Sequence, residues 1–155
     1  MRSRRDHRWF LLAVSLGCAA ASSTQDPGCG APGPFRPHVD MKTFMDHVLT
    51  PSATIIWRVN AIVLDNKGEH DLAPRSDADW EQIVSGAATL AEATNALMIS
   101  ERVLDSQWRI YVRKLSDAAD RAYSAAESRD LAAVSKVSDE LDGICAACHK
   151  HYGLE

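Results

Sequence analysis

Leu131–Tyr152, LAAVSKVSDELDGICAACHKHY, is the stretch from which the rest of the chain is best read. Leu131, Val134, Val137, Leu141, Ile144, Cys145, Cys148 and Tyr152 recur at three-to-four spacing. On a helix of 3.6 residues per turn they share one face, and that face must be buried against other elements. Ser128-Arg129-Asp130 supplies a brief connection before it.

Working upstream, three more stretches carry the same period. The first spans about residues 40–64, with Met41, Phe44, Met45, Val48, Ile55, Val59, Ile62 and Val63 on its inner side. Pro51 is expected to kink or restart this helix, with Thr50 as a cap. Asp65-Asn66-Lys67-Gly68 has turn chemistry, and the loop continues through Pro74. The second helix begins at Ser76, an N-cap with Asp77 and Asp79 in the first turn, and buries Trp80, Ile83, Val84, Ala87, Leu90, Ala91, Leu97 and Met98. The third starts near Asp105 and buries Trp108, Tyr111, Val112, Leu115, Ala119, Ala122, Tyr123 and Ala126. No stretch alternates as a half-buried strand would. The expected fold class is all-α, an antiparallel up-down-up-down four-helix bundle over residues 39–155.

The 155 residues, 46% of them apolar, suffice for one packed core. A formal charge of -4, with no basic stripe or aromatic residues among Lys and Arg, argues against a nucleic-acid partner. Arg2, Arg4, Arg5 and Arg8, then the short apolar run Trp9 to Leu16, then Ala19-Ala20-Ala21 read as a secretory signal peptide over residues 1–21. An amphipathic N-terminal helix fits that order less well, and the residues after Ser3-Arg4-Arg5 match a twin-arginine signal poorly. Leu16-Gly17-Cys18 resembles the end of a lipobox, although Ser15 stands where such motifs usually have Leu. Cleavage near Ala21 is the leading reading, and acylation of Cys18 as a lipid anchor is the alternative. Residues 22–38 read as a Pro- and Gly-rich linker containing Cys29, a free thiol. No run is long enough for a transmembrane helix. Without residues 1–29 the chain carries 13 basic and 19 acidic residues, net charge -6, which suits a basic partner.

Cys145-Ala146-Ala147-Cys148-His149 is the strong chemical signal. Cys-x-x-Cys-His is the attachment sequence of covalent haem c: positions i, i+3 and i+4 share a helical face, so two thiols and one imidazole approach a porphyrin from the same side. His149 is then the proximal iron ligand. A closed zinc site needs four convergent ligands, and no second ligand pair is evident. A thioredoxin-like pair normally accompanies a strand-helix-strand pattern, which is absent. A plain Cys145–Cys148 disulfide leaves the adjacent His149 unexplained.

Met45 with Pro51 six positions on, Pro74 to Trp80, Leu90-Ala91-Glu92-Ala93, Asn95-Ala96-Leu97-Met98, Arg102 and Cys145 to Tyr152 together resemble the class II c-type cytochromes, the cytochrome c-prime and c-556 group. The resemblance spans Asp40 to Tyr152. It implies a four-helix bundle with haem near one end, a periplasmic location and often a homodimer. The chain departs from the group in lacking an evident helix Arg one turn before the distal residue.

In the expected topology the end carrying His149 also holds Met41, Met45, Met98, Trp108 and Tyr111, with Trp57 and Ile62 at the far end. Topology leaves Met45 and Met98 comparable as distal ligands; the resemblance favours Met45. Arg102, Arg109 and Arg113 are candidates to neutralise haem propionates, Arg102 alone with support from the resemblance. Trp57, Trp80, Trp108 and Tyr111 read as packing, and His47, His70 and His151 as solvated, His47 being a minor ligand candidate. The expected function is one-electron transfer between exported redox partners, not enzymatic catalysis. The alternative is a vacant distal position that binds or senses nitric oxide or carbon monoxide. A peroxidase-like reading lacks a distal acid-base pair.

Overall fold

The computed structural model describes Phe35–Leu154. The signal-peptide reading, Cys18, Cys29 and most of the linker lie outside these residues.

Four of the helices start where the sequence supplies an acceptor for the orphan N–H groups of the first turn. Asp40 accepts from Thr43 N–H at 2.8 Å and opens α1, Met41–Phe44. Ser76 and Asp79 form a reciprocal capping box on α3, Asp77–Leu97. Asp105 caps α4, Ser106–Glu127, and Asp130 caps α5, Leu131–Tyr152. Gly153, at φ 66°, ends α5 in the left-handed region, where glycine carries no Cβ penalty, and Leu154 N–H reaches His149 C=O at 3.0 Å.

The first helical run departs from expectation twice. A new α-helix does begin beside Pro51, but Thr50 does not cap it. A wide π turn, Met45–Leu49, leads directly into α2, Thr50–Trp57, and Thr50 lies inside the helix with its N–H on Met45 C=O. Proline has no N–H to give, and the wide turn shifts the bonding frame just before it.

The run also stops at Trp57 rather than near residue 64. After a 3₁₀ turn, Arg58–Asn60, the chain forms an antiparallel hairpin of β1, Ile62–Asp65, and β2, Gly68–Asp71. Ile62 and Val63 are therefore exposed rather than on the inner face. Their spacing from Val59 mimicked a helical stripe, but consecutive β-branched residues before a turn favour extended backbone. Asn60 fixes the exit: its Nδ2 donates to Ser135 C=O at 3.1 Å and to Asp139 Oδ1 at 3.0 Å on α5.

The domain is mainly helical, with this one small sheet among the described residues. Neighbouring packing pairs are α2 with α3, α3 with α4, α4 with α5, and α5 with α2, so the long helices close into a bundle. Ile56, Leu90, Leu97, Val134 and Leu141 are its fully enclosed side chains. α4 contributes a small-residue stripe, Ala118, Ala119, Ala122, Ala125 and Ala126, all buried. Tyr123 and Leu131, expected inside, sit at the flank of that stripe and at the first turn of α5, and both are exposed. No helix of the described residues is long and apolar enough to cross a membrane.

Gly86 marks the closest approach of α3 to α2. A Cβ there would stand 2.9 Å from Ile55 Cβ and 3.1 Å from Ser52 C=O, neither the end of a flexible side chain. Gly86→Ala gains about 1 kcal/mol of helix propensity. It incurs about 1–3 kcal/mol of overpacking. We expect net destabilisation in a denaturant titration. Gly143→Ala, with nothing within 4 Å of its added methyl, should raise stability by about 0.5–1 kcal/mol.

Candidate functional site

The last two turns of α5 carry Cys145, Cys148 and His149, each half-buried, with both thiols free. Cys148 and His149 form one wall of a cleft of about 410 Å³, within the range of about 300–1,000 Å³ usual for cofactor sites. Met41 and Met45 come from the first helical run, Arg102 from the α3–α4 loop, and Trp108 from the first turn of α4. A second void of about 40 Å³ adjoins it, sharing Met45, Trp108, Cys148 and His149 and adding Tyr111. Its other walls are Leu49, Leu97, Val112, Leu115 and Ile144, so it is apolar. The structure thus brings six of the expected residues, Met41, Met45, Arg102, Trp108, Cys148 and His149, around one cleft, with Tyr111 beside it. Cys145 lies one turn back on α5 and lines neither space.

Met98 is not among them. α3 ends at Leu97, and Met98, at φ -96° and ψ 0°, leaves the helical path and is 38% exposed. Arg109 and Arg113 are exposed and line neither space, and His47 and His151 are exposed as expected. His70 pairs with Asp65 at 3.0 Å on the hairpin surface.

Arg102 is 6% exposed. Its Nη1 donates to Ala96 C=O at 3.1 Å and its Nη2 to Val39 C=O at 3.0 Å. The guanidinium carbon stands 4.1 Å over the centre of the Phe44 ring. Nε is buried with no partner, and among the described residues no carboxylate forms an ion pair with this side chain. Arg102 is thus a buried cation enclosed by carbonyls and a ring, in a cleft whose lining also carries the Asp40 and Glu101 carboxylates.

Asp105 sets the orientation of the α5 terminus, a role sequence reasoning missed. Its Oδ1 accepts from Trp108 N–H at 2.8 Å and from Tyr152 O–H at 2.8 Å. These two bonds hold the carboxyl below its usual range, whereas burial and the bond to Asp105 push the Tyr152 phenol up to about 12. Tyr152 meets Trp108 edge-on at 5.6 Å between ring centres, and Trp108 Nε1 donates to Leu97 C=O at 2.8 Å. Asp105 was legible as a helix start and Tyr152 as an inward residue; nothing local joined them.

Cys145, Cys148 and His149 share a helical face, Cys148 and His149 stand in the cleft with the Met45 thioether, and Arg102 is buried in its wall. No group of three or more His, Cys, Asp or Glu side chains among the described residues is arranged to hold a metal ion. Comparison with family models, curated proteins and solved structures returns no match.

Burial, with smaller contributions from Cys148 and Asp142, pushes the Cys145 thiol up to about 11; burial also raises Cys148. Both thiols are therefore protonated at neutral pH in the cofactor-free chain, and the thiolate is the species that alkylates. Iodoacetamide should modify Cys148 before Cys145 at pH 8, both more slowly than in urea, by peptide mass spectrometry. The linkage runs in the corresponding direction. Above about pH 8.5 the unfolded chain releases protons that the folded chain retains, so stability falls as pH rises. Cys145→Ser/Cys148→Ser should flatten that fall.

Proposed function

We propose that this chain is an exported monohaem c-type cytochrome of the class II kind, a one-electron carrier whose haem c is bound through Cys145 and Cys148, with His149 as proximal ligand. The observation that carries the proposal is the convergence of Cys148, His149, Met45 and the buried Arg102 on one cleft at the end of α5. An up-down-up-down bundle with haem near one end is the finer architecture proposed. It is supported by the cyclic packing of neighbouring helices and by the Asp105–Tyr152 bond, which joins the start of α4 to the end of α5.

When bound, haem iron supplies a one-electron couple. The chain's own residues would hold it: Cys145 and Cys148 would anchor it, His149 would supply an imidazole and Met45 a thioether to the iron. Trp108 lines the cleft and Leu97 the apolar void beside it, and Arg102 would offer charge to a propionate. Thioether and imidazole ligation together would favour the reduced state, which suits a carrier. The basic, apolar and small-residue order of the first 21 residues supports export to a periplasm. A net charge of -6 over residues 30–155 supports a basic redox partner. The apolar void beside Met45 and His149 favours a second reading, a small-gas binding or sensing protein with an open distal position.

Protein matured in a bacterial periplasm should keep one haem mass through acid-acetone extraction in intact-mass analysis. Cys145→Ser/Cys148→Ser should lose it, and extractable haem in the parent protein would overturn covalent attachment. For the distal ligand, we expect a low-spin spectrum with a far-red sulfur-to-iron charge-transfer band that vanishes in Met45→Ala. A high-spin, five-coordinate ferrous form that takes up carbon monoxide at once would replace the carrier reading with the gas-binding one.

A further inference from the structure

The β1–β2 hairpin has two edges of opposite character. Its register pairs Ile62 with Asp71, Val63 with His70, Leu64 with Glu69 and Asp65 with Gly68, and Leu72 N–H bonds Ala61 C=O at 3.0 Å. Antiparallel ladders alternate bonded and non-bonded pairs. Val63 and Asp65 therefore turn their backbone groups toward β2, while Ile62 and Leu64 turn theirs outward. Among the described residues those outward groups have no partner. The side chains at the same positions are the most exposed aliphatics of the hairpin, Ile62 at 63% and Leu64 at 79%. Residues 61–64 hold no charge and no proline, the usual guards of a free edge. Glu69, His70 and Asp71 put polar or charged side chains on β2 instead. Every residue of both strands is exposed, so the sheet has no face buried against the helices. A two-stranded ribbon without a buried face is marginal in water, and three or more strands are needed for independent stability.

We infer that β1 pairs with β1 of a second copy of this chain, antiparallel about a two-fold axis at Val63, to give a four-stranded sheet. Ile62 then faces Leu64 of the other copy and exchanges both backbone bonds with it, and the two Val63 residues meet directly. One face has Ile62 and Leu64 of both copies at its centre and Glu69 and Asp71 at its rims, the apolar-centre, polar-rim arrangement of stable interfaces. The other face has the two Val63 flanked by His70. The arrangement brings no like charges together across the seam: Asp65 of each copy faces the uncharged Ala61 of the other, so the carboxylates stand at opposite ends. β2 paired with itself would instead bring Glu69 and Asp71 carboxylates onto one seam. The hairpin leaves the bundle at Asn60, which is bonded to Asp139, about 15 Å along α5 from His149 at 1.5 Å per residue. Pairing at β1 therefore leaves both clefts uncovered. The inference is independent of what the cleft binds.

The mature full-length protein should sediment as a dimer, with dissociation detectable on dilution. Ile62→Lys and Leu64→Lys should each weaken dimerisation at least tenfold while leaving the helical circular-dichroism signal unchanged, because both side chains are solvent-facing in the monomer. Two Val63 residues in a non-bonded antiparallel pair have Cα atoms about 4.5 Å apart. That lies within the disulfide range of about 4.4–6.8 Å. In a Cys29→Ser background, Val63→Cys should form a crosslinked dimer on mild oxidation that the background and His70→Cys do not form. A monomer at all concentrations, or a dimer indifferent to both Lys substitutions and uncrosslinked at Val63→Cys, would overturn the inference.

Discussion

One carboxylate oxygen, Asp105 Oδ1, joins the start of α4 to the end of α5 through two hydrogen bonds, one to Trp108 N–H and one to Tyr152 O–H. The geometry of the cleft depends on it. As an N-cap it fixes where α4 begins and so places the Trp108 ring; as acceptor for Tyr152 it fixes the last turn of α5, which carries Cys148 and His149. The main effect of the pair is positional: it ties the start of α4 to the end of α5 beside Cys148 and His149.

Arg102 poses the opposite energetic problem. Burying a guanidinium with two carbonyls and a Phe44 ring for company, and no carboxylate, leaves much of the desolvation cost unmet. A cation over an aromatic ring returns about 2 kcal/mol when desolvated. Charged hydrogen bonds contribute on a similar scale. These terms hold Val39 against the α3–α4 loop and keep the wall of the cleft in place.

The helical segments were legible from apolar spacing and caps, because both are local: Ser76, Asp105 and Asp130 each announce a helix within four residues of its start. Errors arose where the period continued past a local stop. Ile62 and Val63 extend the spacing of Ile55 and Val59, but the chain leaves the helix at Trp57, where Asn60 bonds to Ser135 and Asp139 on a helix seventy-odd residues away. Met98 extends the stripe of Leu90 and Leu97, but it is the C-cap and turns out to solvent. Of the cleft, Cys148 and His149 were readable as part of a motif with Cys145, and Met45 and Arg102 only through a resemblance. Asp105 as a tie, and Phe44 beneath Arg102, were not readable at all.

By itself the sequence determined the helix starts, the shared face of Cys145, Cys148 and His149, and the acidic charge, since each follows from residue type and spacing along a few turns. Tertiary structure alone decided that Met45 rather than Met98 stands in the cleft with His149. It also decided that Arg102 is buried without a counter-charge and that β1 presents an open apolar edge. These depend on which distant segments meet, and a pairing between residues tens of positions apart leaves no periodic trace in either partner.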